Sequence, residues 1–153
     1  MPRVRLVPVE RAMYGTAILW EIMVERSEPS EHDTNISHKE LPTRTDHENF
    51  VVNHPFWLWY LIMDANLGKF VGQIRVSVRN EIGIGILKRY RRRGYATAAL
   101  EELMATVTPQ PYDPSMRRAG WVANINPKNS ASVAFFEKHG FHHIQNTYLR
   151  DPE

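Results

Sequence analysis

Cysteine is missing from all 153 residues. That excludes disulfide staples, thiolate nucleophiles and thiolate metal sites. It also suits a cytoplasmic protein, which is the expected location. Long apolar runs are missing too, and no stretch approaches the roughly 18 apolar residues of a membrane span. The N-terminus, "MPRVRLVPVERAMYG", is charged throughout and has no apolar core, so no signal peptide is expected. Charge of one sign is scarce. Nineteen Lys and Arg face 17 Asp and Glu, for a net charge of +2 and a sequence pI near 9.0. That falls short of the footprint of a dedicated nucleic-acid binder. Repeats, low-complexity tracts and interdomain linkers are absent as well. What is present is ordinary for a folded chain: 42% hydrophobic and 24% charged residues. The length fits one domain, 1–153, able to bury a core without staples.

The hydropathy pattern divides the chain into elements. "RVRLVPV" (Arg3 to Val9) alternates and predicts a strand. Ala12 to Val24 has a helical pattern with Ile18, Leu19, Ile22 and Met23 as its apolar stripe. "ERSEPSEHDTNISHKELPTRTDHE" is polar and broken by proline, and reads as a lid with a short helix near its end. "FWLWYLIMD" (Phe56 to Asp64) and "FVGQIRVSV" predict a hairpin turning at Asn66 to Lys69. "EIGIGIL" (Glu81 to Leu87) predicts another strand after a tight turn at Arg79-Asn80. A helix is expected over Gly94 to Val107, a strand over "AGWVANI", and a helix from Ser130 to His139 ended by Gly140. "FHHIQNTYL" predicts a last strand. The order, β-α-(α)-β-β-β-α-β-α-β, implies a mixed α/β domain with helices on both faces of one sheet.

One stretch needs a reason of its own. "YRRRGYATAAL" sets Arg91, Arg92 and Arg93 at a helix start, where the macrodipole is already positive and cations are disfavoured. The run is either a solvated basic face or a place for an anion. Gly94 and the small Ala96 let an anion approach the free N–H groups of a helix N-terminus. Arg91 and Arg93 add charge and bidentate hydrogen bonds. No G-K-[ST] follows, and only one glycine is present, so neither a Walker A loop nor the dinucleotide fingerprint is matched.

"IGIGILKRYRRRGYATAAL" resembles the central motif of the GCN5-related N-acetyltransferases (GNAT), an apolar strand followed by [R/Q]-x-x-G-x-[G/A]. Arg91, Gly94 and Ala96 take its three specified positions. "NPKNSASVAFFEKHGF" resembles the family's later motif, with Asn129, Ser132, Phe136, Glu137, Lys138, Gly140 and Phe141 in register. The likeness covers roughly Phe56 to Leu149. Further upstream, Asn35-Ile36-Ser37, Pro42, His47, Phe50, Pro55 and Trp59-Tyr60-Leu61-Ile62 are similar to a subgroup of the family with no one settled substrate. The resemblance implies a mostly antiparallel sheet that splays at the CoA site. It implies acetyl-CoA as co-substrate, with Ile86, Leu87 and Lys88 as strand contacts. Arg91, Arg92, Arg93, Gly94, Tyr95, Ala96 and Thr97 would form the pyrophosphate loop, and Asn129, Ser132 and Phe136 would complete the site.

Acetyl transfer to an amine needs a neutral nucleophile, although a free alkyl ammonium has a pKa of roughly 10. It also needs a donor for the developing oxyanion, and it gains from a proton for the leaving thiolate. Glycines 83 and 85 inside a strand suggest a bulge or a close backbone approach. The resemblance puts a backbone donor near Ile86. Glu81 is the candidate base, with a solvated turn carboxylate as the alternative. Family members often carry a tyrosine acid where this chain has Phe136, so Tyr148, a water, or no acid is expected instead. Asn129 serves either the pantetheine or a helix cap.

The remaining groups are weighed the same way. His139, His142 and His143 do not converge, because strand neighbours point to opposite faces; no metal site is expected. His47 and His54 sit on the lid, where they either touch substrate or are exposed. Phe56, Leu58 and Tyr60 are expected on one strand face, and Trp57, Trp59 and Leu61 on the other, as core. The expected function is an acetyl-CoA-dependent N-acetyltransferase acting on a primary amine of a small molecule, amino sugar or peptide, with no membrane partner and room for a homodimer. The alternatives are a non-catalytic acyl-CoA binder and a nucleic-acid or anion-binding module built on the arginines. Nucleic acid is the less expected partner. Arg92 is expected to matter least of the three arginines.

Overall fold

Four strands hydrogen-bond in chain order, every neighbouring pair antiparallel: β1 (Val4–Pro8), β2 (Leu58–Asp64), β3 (Lys69–Val76) and β4 (Ile82–Ile86). The structure is a computed structural model and describes residues 1–12, 15–31, 34–35 and 40–153. Ile36 and Ser37 of the upstream pattern, His32 and His38 of the lid, and Met13 and Tyr14 of the first helical pattern lie outside the described residues. The helices are α1 (Gly15–Arg26), α2 (Arg44–Asn53), α3 (Tyr95–Thr106) and α4 (Ser130–Lys138).

Strand alternation sorts the core into two layers. Trp59 and Leu61 turn to one face, where Val9, Leu19 of α1 and Val51 of α2 cover them. Ile62, Ile74, Val76 and Ile82 turn to the other, against Ala99, Leu100 and Leu103 of α3 and Phe136 of α4. Helices therefore cover both faces. Leu58 and Tyr60 pack on the α3 side, as the alternation requires. Phe56 and Trp57 fall opposite to expectation: Phe56 packs on the α1 side and Trp57 on the α3 side. The ladder starts only at Leu58, so the period does not extend to them.

Two local irregularities shape the middle of the sheet. The β2–β3 register slips between Ile62 and Met63, so Ile62 faces Gly72 and Met63 faces Phe70. Val71 is the extra residue of this bulge, and it turns into the α3 layer. Gly72 next to it has no room for a side chain, because a β-carbon there would stand 2.2 Å from the Gly85 carbonyl oxygen. On β4 the isoleucines face α3 and the two glycines face α1. A β-carbon on Gly85 would meet Ile22 Cγ2 of α1 at 3.3 Å.

The strand expected over "AGWVANI" shrinks to one parallel bridge between Glu81 and Val122. There the Ile82 N–H donates to Val122 O (2.8 Å) and the Val122 N–H to Asn80 O (3.0 Å). The chain then parts from β4, so the sheet splays at this edge. The strand expected over "FHHIQNTYL" does not form. Phe141 reaches the core edge-on to Phe136, but 142–153 are exposed and carry no ladder. The alternation is present, but "AGWVANI", which would stand between this segment and β4, forms only one bridge, and among the described residues Phe141 packs on Phe136. The helix ends follow their local chemistry. Thr43 caps α2 by accepting from the Asp46 N–H, and Asn129 caps α4 by accepting from the Ser132 N–H, both at 3.1 Å. Gly140 takes φ 87° after α4, and the Phe141 N–H returns to Phe136 O.

Candidate functional site

The arginine–glycine turn joins the splayed edge of β4 to the start of α3. Gly94 is the N-cap of α3 in the left-handed region (φ 87°) and offers no side-chain cap. The first helical hydrogen bond runs from the Ala98 N–H to Gly94 O. The N–H groups of Tyr95, Ala96 and Thr97 are thus outside the helical ladder, at the positive end of the macrodipole. The β4 edge offers similar groups. Gly83 and Gly85 spend their backbone hydrogen bonds on β3, because narrow and wide pairs alternate in an antiparallel ladder. Ile84 and Ile86 therefore point their N–H groups to the open side, where the bridged segment has already departed. One stretch of chain so presents two sets of donors, at a strand edge and at a helix start.

Within this frame the expected residues play different parts. Leu87 is fully buried; its N–H donates to Val71 O (3.0 Å) and its carbonyl accepts from Tyr90. The Lys88 N–H donates to Glu25 Oε2 (2.9 Å), and its ammonium pairs with Glu28 and Glu31, which raise its pKa above the ordinary lysine value, the Glu28 hydrogen bond first. Arg91 donates from Nε to Ile86 O and from Nη1 to Glu31 Oε1, both at 3.1 Å. It ties the turn to Glu31, in the segment after α1. Arg92 holds a left-handed φ of 62°, and Arg93 lies 5.9 Å from the Tyr90 ring; both are exposed. The Tyr95 hydroxyl is buried and donates to Asp64 Oδ2. That bond, with the Leu67 and Asn66 N–H groups, holds the Asp64 carboxyl below its ordinary range.

Glu81 sits at the bridge. Its Oε2 accepts from the Ser77 hydroxyl (3.0 Å) and its Oε1 from Asn124 Nδ2 (3.3 Å). It lies roughly 10 Å along the strand from Ile84, at 3.3 Å per residue. Tyr148 is 90% exposed on the C-terminal segment and the structure does not bring it to the β4 edge. Asn129 spends its carbonyl on the Ser132 N–H, and Phe136 is buried in the α3 layer. His54 closes α2 and pairs with Glu10 at 3.3 Å.

The other face of β4 holds a constellation that sequence reading missed. A narrow pocket of about 10 Å³ lies between α1, α2 and the sheet, lined by Arg26, His47, Trp59, Gln73 and Arg75 among others. The Trp59 Nε1–H donates to Gln73 Oε1 (2.7 Å), which orients the Gln73 amide. Arg75 lies over the Phe56 ring at 4.7 Å. Burial, with Arg26 nearby, pulls its pKa down to about 10, so it stays protonated at neutral pH. His47 is buried and edge-on to Trp20, and among the described residues neither ring nitrogen has a hydrogen-bond partner. Burial first, then the Arg44 cation, lower its pKa; the Thr16 backbone nearby offsets this without hydrogen-bond geometry. The available signal was polar Gln73 and Arg75 on one face of "FVGQIRVSV", the face of Trp59.

Residues 3–142 match the family model described as "Acetyltransferase (GNAT) domain". No curated protein matches the chain in sequence. Among solved structures, an acetyltransferase from Thermus thermophilus is 18% identical with a TM-score of 0.66, covering 95% of this chain and 92% of its own. RimL, a ribosomal L7/L12 alpha-N-protein acetyltransferase in complex with coenzyme A, is 14% identical with a TM-score of 0.65, over 89% of this chain and 78% of its own. The microcin C7 self-immunity acetyltransferase MccE, in complex with acetyl-CoA and AMP, is 16% identical with a TM-score of 0.60, over 91% and 78%. Among the described residues no helix is long and apolar enough to cross a membrane.

Proposed function

Because the chain belongs to the GNAT acetyltransferase family, we propose that it transfers the acetyl group of acetyl-CoA to a primary amine of a small molecule, amino sugar or peptide. RimL and MccE, similar in fold, are solved with coenzyme A and acetyl-CoA respectively. The observation that carries the reading is the uncapped start of α3 beside the unpaired edge of β4. These groups fit the co-substrate. A left-handed, side-chain-free Gly94 leaves three helix N–H groups for a pyrophosphate. The Ile84 and Ile86 edge offers strand-like hydrogen bonds to an amide-bearing arm.

Bound acetyl-CoA supplies an activated thioester, whose C–S bond breaks as the C–N bond to the amine forms, the displaced amine proton being balanced by one gained at the thiol. Tyr95, Ala96 and Thr97 hold the diphosphate through their N–H groups. Arg92 and Arg93, both exposed at the turn, add positive field, while Arg91 braces the loop through Glu31 and Ile86. An edge N–H at Ile84 or Ile86 donates to the oxygen that gathers charge. Glu81, held by Ser77 and Asn124, takes the amine proton through water, because its distance from Ile84 precludes contact. No side-chain acid is required of this chain: positioning two substrates in one cleft supplies much of the rate.

Thiol release across a panel of primary amines tests the reading, with Gly94→Glu as the blocked control. Amine-dependent release lost in Gly94→Glu supports it. Acetyl-CoA binding without amine-dependent release marks a non-catalytic binder. No acetyl-CoA binding, together with salt-sensitive nucleic-acid binding, marks an anion-binding module.

A further inference from the structure

The pocket between α1, α2 and the sheet is walled by Leu19, Ile22, Met23 and Phe50, and its polar lining is made of Arg26, His47, Trp59, Gln73 and Arg75, with no acid. Arg75 brings a guanidinium that no carboxylate among the described residues neutralises. Arg26 also lines the pocket and lies near enough to depress the Arg75 pKa. The Gln73 oxygen is taken by Trp59, which leaves its Nε2–H groups as the free end. That Nε2 stands 3.7 Å from the β-carbon position of Gly85. His47, 4% exposed, has two ring nitrogens with no partner among the described residues, a costly state for buried polar atoms unless something else meets them.

The two β4 glycines connect this pocket to the reacting edge. A β-carbon on Gly83 would stand 2.9 Å from Arg75 Nε, so only glycine there lets the guanidinium lie against the strand. Gly83 and Gly85 flank Ile84, whose N–H faces the cleft. A ligand on Arg75 is therefore next to the β4 backbone where an acetyl carbonyl would be held.

We propose that the Arg75–Gln73–His47 pocket is the acceptor subsite and that it selects an amine carrying a carboxylate. The assignment rests on the acetyltransferase reading above. A carboxylate is the anion of choice on shape. It is planar, pairs bidentately with guanidinium, and can enter edge-on a slot that at rest holds no more than about one water. A tetrahedral phosphate demands more width. The remaining lone pairs of the carboxylate meet Gln73 Nε2–H and the one N–H of a neutral His47, which gives that ring nitrogen a partner.

Propionate, propionamide and methylphosphonate distinguish the possibilities, titrated into the CoA-bound chain while the His47 ring nitrogens are followed by NMR. Propionate is expected to move the His47 signals saturably, in the millimolar range. Propionamide, isosteric and neutral, is expected to leave them in place. Arg75→Gln should abolish the effect of propionate, and Arg75→Lys should weaken it by about tenfold, because a point charge replaces the fork. CoA affinity should stay unchanged in both variants. Should one variant fail to fold, the other decides. No saturable shift by propionate in a chain that binds CoA overturns the proposal, as does a shift by methylphosphonate alone or an equal shift by propionamide. A chain that does not bind CoA contradicts the acetyltransferase reading instead, and the propionate titration without CoA then still reports on the pocket.

Discussion

Arg75 lies across Gly83 so closely that a single methyl group on the glycine would stand 2.9 Å from the arginine Nε and 3.3 Å from its Cγ. Gly83→Ala should therefore displace the guanidinium and little else, since the arginine stem is flexible. The expected result is about a tenfold fall in kcat/KM for a carboxylate-bearing amine, with stability changed by less than about 1 kcal/mol. Steady-state kinetics alongside a urea melt checks both halves. A loss of stability without loss of selectivity would count against the role given to Arg75.

Gly72 has no such freedom. Its missing β-carbon would stand 2.2 Å from the backbone oxygen of Gly85, which no rotamer change can relieve. Gly72→Ala is expected to cost about 3 kcal/mol or more, since the β3–β4 ladder itself must part. Denaturant unfolding measures it, and a cost under about 1 kcal/mol would contradict the register.

Tyr95 and Asp64 give a pH signature. The tyrosine hydroxyl is the first of the groups that hold the Asp64 carboxyl below its ordinary value. A carboxylate depressed on folding contributes stability above its unfolded pKa and loses it as pH falls through the folded one. Tyr95→Phe should thus unfold at a higher pH in an acid titration, and its deficit against the parent should shrink in strong acid. A constant deficit at every pH would mean that the hydroxyl contributes packing alone.

His47 runs in the same direction at higher pH. Its folded pKa lies below the ordinary value of 6.5, so the unfolded chain takes up the proton first. The contribution of a neutral His47 is complete above 6.5 and is lost as pH falls from there through the lowered folded value. Urea midpoints should drop across that window in the parent and less steeply in His47→Gln. Parallel pH profiles would show that His47 titrates normally.

Sequence reading succeeded where structure is decided by neighbours in the chain. The start of α3 at Gly94, the Asn129 cap and the Gly140 stop depend on a few consecutive residues, and they stand where capping chemistry puts them. Alternation also placed Trp59 and Leu61 opposite Tyr60. It could not tell whether a neighbouring strand would form: "AGWVANI" is reduced to one bridge, "FHHIQNTYL" alternates without pairing, and Tyr148 ends in solvent. Arg91 holds its motif position, but nothing local in the sequence signals its pairing with Glu31, 60 residues away. The pocket was hidden for a similar reason. His47, Trp59, Gln73 and Arg75 meet only once β2 and β3 fix their register and α2 docks across them, and no local spacing carries that information.

Calorimetric titration of acetyl-CoA into the intact chain and into Gly94→Glu tests the central claim most directly. The turn before α3 predicts one binding site per chain in the micromolar range, lost by at least about a hundredfold in Gly94→Glu, whose β-carbon would stand 3.0 Å from Pro2 Cδ at a left-handed φ of 87° and so disturb the turn that presents the three N–H groups. Binding unchanged in Gly94→Glu, or no binding in either chain, would contradict it.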